Sequence, residues 1–271
     1  MTDEPRRQGL PSAEQDVGTG RNQATTAQTL SPSYRLAFAD DDFLLEDGLR
    51  GVRLMLEFSK PDRIMREAGI HSTIVVFGST RARPEGASDG SQGTGYSLDP
   101  AYYDEALRLG TLIAESTTDG DELDFVVMTG GGPGIMEAAN RGAADAGAPS
   151  VGLNIVLPRE QAPNRHITPE FSFQFHYFAI RKLHFLLRAR ALVFFPGGFG
   201  TLDELFEALT LLQTGRIDRL PVILFGESFW RRVINFDALV EDGVIRAEDL
   251  DFIRFVESAD EALKLIKAAS P

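Results

Sequence analysis

The chain contains no cysteine. Disulfides, thiolate metal sites and a cysteine nucleophile are excluded together. No apolar run reaches the ~18 residues of a membrane-spanning helix, so no transmembrane segment and no membrane partner are expected. The first residues, MTDEPRRQGLPSAEQD, lack the apolar core of a secretory signal, which fits a cytoplasmic location. Positive charge is also short: 27 Lys and Arg stand against 40 Asp and Glu, for a formal net charge of -13. Affinity for nucleic acid comes largely from clustered Lys and Arg, so no nucleic-acid partner is expected. A small phosphorylated ligand is still allowed, because screening over about 8 Å lets a pocket differ in sign from the whole surface. His71, His166, His176 and His184 show no H-E-x-x-H or other ligand spacing and read as structural or loop residues. There is no G-x-S-x-G nucleophile elbow.

What is present describes a globular protein: 43% of its 271 residues are hydrophobic and 25% charged. Residues 1–33 are rich in Gln, Thr, Ser, Gly and Pro and are expected to form a disordered tail. Residues 34–72 form a helical extension in which Phe43 to Phe58 carries Leu44, Leu45, Leu49, Val52, Met55 and Leu56 at mainly helical spacing. Asp40, Asp41 and Asp42 before it read as a solvated, dipole-favoured helix start. From residue 73 to 271, apolar strands alternate with amphipathic helices. Strands are expected at Thr73–Phe77, Phe125–Met128, Val151–Leu157, Phe171–His176, Ala191–Phe195, Pro221–Phe225 and Phe252–Val256. Helices are expected at Tyr102–Glu115, Glu137–Ala146, Phe178–Arg190, from Thr201, at Phe229–Leu239 and at Asp260–Ala269. The expected fold is α/β: a doubly wound, mostly parallel sheet with helices on both faces, in a single domain with an N-terminal extension.

Three glycine turns follow strand C-termini, where such sheets bind ligands. The strongest is Pro196-Gly197-Gly198-Phe199-Gly200-Thr201, running into an amphipathic helix. Unpaired N–H groups and the positive end of the helix dipole make this an anion cradle. Asp203 and Glu204 lie beside it. Thr201-x-x-Glu204 fits a capping box, and Glu204 fits equally a catalytic carboxylate. The turn Gly130-Gly131-Gly132-Pro133-Gly134 is neither a full G-x-G-x-x-G nor a Walker A; it serves a ligand or merely a tight strand-to-helix turn. The first turn, Gly78-Ser79-Thr80-Arg81-Ala82-Arg83, joins glycine to hydroxyls and arginines, and Arg81 and Arg83 either meet a phosphate or face solvent. Residues 85–97, rich in Gly and Ser, suggest a mobile loop beside it. Arg159, Asn164 and Arg165 fall in a second loop. Arg181 and Lys182 sit early in their helix, where the dipole disfavours cations, which points to an anionic neighbour or to plain surface charge.

Phe195-Pro196-Gly197-Gly198-Phe199-Gly200-Thr201-Leu202-Asp203-Glu204 closely resembles the PGGxGTxxE signature of the LONELY GUY proteins, the cytokinin riboside 5′-monophosphate phosphoribohydrolases, often labelled "lysine decarboxylase-like". The likeness covers roughly Thr73 to Ile266, and the N-terminal extension is similar to that of longer bacterial members. The resemblance implies a Rossmann-like fold and hydrolysis of the N-glycosidic bond of a nucleoside 5′-monophosphate to free base and ribose 5-phosphate. It implies catalytic roles for Arg181 and Glu204, a phosphate-binding turn at Gly197, Gly198, Gly200 and Thr201, and a ligand-lining turn at Gly130, Gly131 and Gly132. Gly78, Ser79 and Lys182 complete the candidate binding residues. No cofactor and no metal are required, and a homodimer or larger homo-oligomer is implied. Phe178-Ala179-Ile180 differs from the Met-His-Glu common in plant-type members, so a broader nucleotide such as AMP is expected over an isopentenylated one. The competing reading is a non-catalytic nucleotide or molybdopterin-cofactor carrier. A decarboxylase would need pyridoxal phosphate on a Schiff-base lysine, and no such context surrounds Lys60, Lys182, Lys264 or Lys267.

Overall fold

In the computed structural model, which describes residues 12–20, 23–86, 98–117, 123–158 and 162–269, short apolar runs form seven strands. They are β1 (Thr73–Phe77), β2 (Val126–Thr129), β3 (Ser150–Ile155), β4 (Ser172–Phe175), β5 (Ala189–Phe194), β6 (Val222–Phe225) and β7 (Ile253–Val256). All pair in parallel, in the order β4-β3-β2-β1-β5-β6-β7. The helices are α1 (Ala13–Gly20), α2 (Asp41–Leu44), α3 (Arg50–Glu67), α4 (Ala101–Ala114), α5 (Ile135–Asp145), α6 (Phe178–Leu187), α7 (Phe199–Gln213), α8 (Glu227–Val233), α9 (Phe236–Glu241) and α10 (Ala259–Ala268).

Alternation along the strands divides the core into two layers. Ile74 and Val76 of β1 point to one face, where Leu109 of α4, Ala139 of α5 and Ala262 of α10 cover the sheet. Val75 and Phe77 point to the other, covered by Met65 of α3, Phe185 of α6, Leu205 of α7 and Trp230 of α8. A parallel sheet covered on both faces explains why its strands read as continuous apolar runs. On the first face, α4 and α5 approach to backbone contact: a Cβ on Gly142 would stand 2.0 Å from the carbonyl oxygen of Leu107.

Several boundaries differ from the sequence expectation. The helix expected over Phe43–Phe58 is interrupted: α2 is capped by the Asp40 side chain, a short 3-10 turn follows at Asp47–Leu49, and α3 then runs on through Pro61 to Glu67. Asp40 and Asp42 are bridged by Arg35, at 3.3 and 2.9 Å. The helix expected to reach Arg190 stops at Leu187, because the next residues join the sheet and Ala189 pairs with Thr73. The helix expected over Phe229–Leu239 is two, since the Asn235 side chain accepts the N–H of Ala238 and starts α9 anew. Within the segment expected to be disordered, α1 forms with none of its residues buried; Ser12 and Gln15 cap one another in both directions. The rest of that tail up to residue 11, residues 87–97 of the expected mobile loop, and Arg159 lie outside the described residues. By contact density the chain divides into two units, Met1–Leu56 and Glu57–Pro271, rather than at residue 72.

Candidate active site

The three glycine turns stand at the C-terminal ends of β1, β2 and β5, which are neighbours in the sheet. Hydrogen bonds tie them together. The Ser79 N–H donates to the Pro196 carbonyl at 3.0 Å, and the Ile135 N–H at the start of α5 donates to the Ser79 carbonyl at 3.1 Å. Gly78 lies against Ile135, where a Cβ would meet that side chain at 2.7 Å. Of the two arginines left open, Arg83 closes its own loop by donating to the Thr80 and Ala82 carbonyls, each at 2.7 Å. Arg81 is exposed.

The Gly130–Gly132 turn is pinned by a buried polar network that sequence reasoning missed. The Thr129 hydroxyl accepts the Gly131 N–H at 3.0 Å and contacts the Asn140 Oδ1 at 2.7 Å. Asn164 donates its backbone N–H to the Gly131 carbonyl at 2.9 Å and its Nδ2 to the Gly132 carbonyl at 3.1 Å. Thr129 and Asn140 are fully buried. Satisfied networks of this kind fix one backbone conformation. Here that conformation includes a φ of +74° at Gly131.

Arg181 is carried by α6 into this turn. Its Nε donates to the Leu153 carbonyl at 2.7 Å, and its Cζ lies 5.1 Å from the centroid of the Phe185 ring. Its Nη2 occupies space that only a glycine at position 130 leaves free, 2.6 Å from where a Cβ would stand. Burial lowers its pKa and the charge of Glu204 opposes that, so the two expected catalytic groups do share one field.

The third turn corrects one expectation. Helix α7 begins at Phe199 with Gly198 as an extended N-cap and no side-chain cap, so Thr201 is already inside the helix and no capping box with Glu204 forms. Thr201 is buried, and its Oγ1 lies 2.1 Å from the Cβ position of Gly197. A Cβ at Gly198 or Gly200 would meet nothing of the described residues within 4 Å. Among the described residues, space for a Cβ does not require glycine there. Glu204, freed from capping, is half-buried, and its carboxyl pKa is pushed up to about 7. Burial is the main cause; the cations of Lys182 and Arg181 pull it down, while Glu207 and Asp203 push it further up.

Lys182, a candidate binding residue, is tied by two ion pairs beside Glu204: its Nζ bridges Asp203 at 2.9 Å and Glu207 at 3.0 Å, joining α6 to α7. Burial lowers its pKa, but the two carboxylates outweigh that and leave it raised. Phe199 is 93% exposed, and with Leu202, Phe206 and Glu207 it lines a groove of about 600 Å³ that Arg181 and Glu204 do not line. Among the described residues, no three His, Asp or Glu side chains are grouped to hold a metal, and no helix is long and apolar enough to cross a membrane.

A doubly wound parallel sheet with three glycine turns at its C-terminal edge, and a shifted carboxyl in the field of a half-buried guanidinium, defines a Rossmann-like protein. A family model described as "Possible lysine decarboxylase" matches residues 136–266. Cytokinin riboside 5′-monophosphate phosphoribohydrolase LOG1 of Arabidopsis thaliana is 30% identical over 175 residues, covering 63% of this chain and 78% of the relative. LOG4 of the same plant, named for the same activity, is 28% identical over 183 residues, 66% of this chain and 80% of the relative. A solved Moco carrier protein from Chlamydomonas reinhardtii aligns over 73% of this chain and 96% of its own, with a TM-score of 0.49 and 19% identity. The chain belongs to the LONELY GUY family of phosphoribohydrolases.

Proposed function

We propose that this protein hydrolyses the N-glycosidic bond of a nucleoside 5′-monophosphate, with AMP as the expected substrate, giving the free base and ribose 5-phosphate. The observation that carries this reading is Glu204: a half-buried carboxyl with a pKa of about 7, beside Arg181 and one turn along α7 from Thr201. A 5′-phosphate at the start of α7 would meet free N–H groups and the positive end of the dipole, with open space at Gly198 and Gly200 for its oxygens. One helical turn spans about 5.4 Å, which suits the reach from phosphate to C1′.

The chemistry then follows from charge. As the C1′–N bond breaks, its electron pair leaves with the base and positive charge grows on the sugar, which an ionised Glu204 stabilises. Water adds its oxygen to C1′, and a carboxylate titrating near neutrality suits the removal of its proton. The departing base takes up a proton from solvent, and Glu204 returns to solvent the one it removed from the attacking water, so that the net reaction adds OH to C1′ and H to the base. A guanidinium is too basic to be that donor, so Arg181 positions the base and stabilises its charge. The decarboxylase label has no support at this site: a Schiff-base lysine needs a lowered pKa, whereas Lys182 is locked between two carboxylates. We further propose a homo-oligomer that covers the exposed apolar residues of α6 and α7, among them Phe178, Leu183, Leu187 and Phe199.

The test is incubation of the purified protein with AMP, CMP, GMP and isopentenyladenosine monophosphate, following free base by chromatography. Release from wild type and a loss of at least about a hundredfold in Glu204→Ala and Arg181→Ala support the reading. Nucleotide bound but unconverted after long incubation would turn it into the carrier.

A further inference from the structure

One buried donor near the site has no partner. Asn154, on β3, is only 8% exposed, yet its Nδ2 makes no hydrogen bond among the described residues. Buried side-chain donors are nearly always satisfied, and an exception calls for an explanation. The amide lies against the Gly130–Gly132 turn, with Nδ2 and Oδ1 each 2.5 Å from where a Cβ on Gly131 would stand. The groups of that turn are directed to other partners. The carbonyls of Gly131 and Gly132 already accept from Asn164, and the Gly131 N–H is bound by Thr129. The preceding carbonyl, of Leu153, accepts from Arg181.

No described residue supplies that acceptor, which leaves the amide free for a bound ligand. Its surroundings say what kind. The turn leads into α5, an eleven-residue helix whose N-terminus is a positive dipole end, and the Arg181 guanidinium lies against the adjacent Gly130. An acceptor-bearing group is favoured there and a donor is not. On the hydrolase reading, with phosphate at Thr201 and C1′ at Glu204, the base is taken to lie on the Arg181 side, and the Asn154 amide lies against Gly131, next to the Gly130 that seats Arg181. A neutral amide suits a ring nitrogen or carbonyl of a base better than a phosphate, and rotation about its side-chain bonds is the ordinary small adjustment of a binding residue.

We propose that Asn154 is a specificity-determining residue whose Nδ2 donates a hydrogen bond to one acceptor atom on the base of the bound nucleotide. This rests on the hydrolase reading for the placement of the nucleotide.

The experiment measures binding by calorimetry in the Glu204→Gln background, so that turnover does not intervene. The probes are AMP and its 1-deaza, 3-deaza and 7-deaza analogues, each of which replaces one ring acceptor by C–H. The expected result is that one analogue binds roughly tenfold to a hundredfold more weakly than AMP. Adding Asn154→Leu should weaken AMP by the same factor and abolish the discrimination, leaving AMP and that analogue equal. The analogue series on the Asn154-containing protein stands even if Asn154→Leu fails to fold. Equal binding of AMP and all three analogues overturns the inference, as does a variant that weakens all four alike. AMP bound with base discrimination but never hydrolysed by wild type overturns the hydrolase reading alone. No nucleotide binding at all overturns both.

Discussion

The guanidinium of Arg181 and the missing side chain of Gly130 are two halves of one contact: Nη2 lies 2.6 Å from the point where a Cβ on residue 130 would begin. The second glycine turn is thus a seat for a cation on another helix as much as a turn. Gly130→Ala should displace Arg181 while the network of Thr129, Asn140 and Asn164 keeps the backbone in place. A shift of about 1 Å in a positioned group costs on the order of a hundredfold in rate, so nucleotide hydrolysis should fall by about that factor. Wild-type kinetics in Gly130→Ala would show that Arg181 does not act from this seat.

Glu204 should make the proposed activity depend on pH. With its pKa pushed up to about 7 by burial, kcat/KM should rise with pH along a limb centred near that value, as the carboxylate form fills. Lys182 holds that pKa down, so Lys182→Met should move the limb to higher pH. Stability should run the other way. A carboxyl whose folded pKa is raised above its ordinary 4.5 contributes stability that is fully present below 4.5 and lost as pH rises through about 7. Denaturant melts of wild type against Glu204→Gln across pH 4 to 8 should show the wild type alone losing stability over that window. Parallel curves would mean that Glu204 titrates normally.

His184 gives the opposite sign. It is buried between the rings of Phe58 and Phe175, at 5.4 and 5.5 Å, and burial, aided by the charge of Arg188, lowers its pKa below 6.5. Its contribution is present above 6.5 and is lost as pH falls through the lower folded value. His184→Phe should therefore flatten the acid side of the stability curve. Equal acid sensitivity in urea melts of the two proteins would refute the buried neutral ring.

The contact between α4 and α5 is structural and should separate stability from activity. A methyl at Gly142 meets the Leu107 carbonyl oxygen at 2.0 Å, a backbone atom that cannot step aside. Gly142→Ala should cost about 1–3 kcal/mol of stability, which lowers the melting midpoint by about 2–4 °C per kcal/mol, with KM for the nucleotide unchanged. A midpoint equal to wild type would mean that the helices part freely.

The sheet was legible because a strand buried on both faces leaves an uninterrupted apolar run between turns, as in Thr73–Phe77 and Ala191–Phe195. Strand order was not, since a run of Val and Ile carries no record of its neighbours. Nor was the start of α7: Thr201 and Glu204 have the spacing of a cap, and only the observed beginning at Phe199 shows that they are not one. Arg181 and Glu204 were marked by their places in the first turns of their helices, but their catalytic roles came from the resemblance of a signature. Asn140, Asn154 and Asn164 escaped because an asparagine looks alike in a loop and in a core. The available signal was Asn154 itself, a lone amide inside the apolar run Val151–Leu157.

Every strand pairing except one joins strands consecutive in the chain; the exception is β1 with β5, whose partners lie more than a hundred residues apart. Closing so long a loop is the entropically expensive move in forming this sheet, and topologies rich in such contacts fold slowly. The same closure brings the turns after β1 and β2, with Gly78 and Gly130, up to the turn after β5 and to Glu204. The halves of the sheet can each zip locally first, so refolding should restore helical and strand signal before it restores nucleotide binding. The three turns are therefore expected to be assembled late, when a single ladder in the middle of the sheet closes.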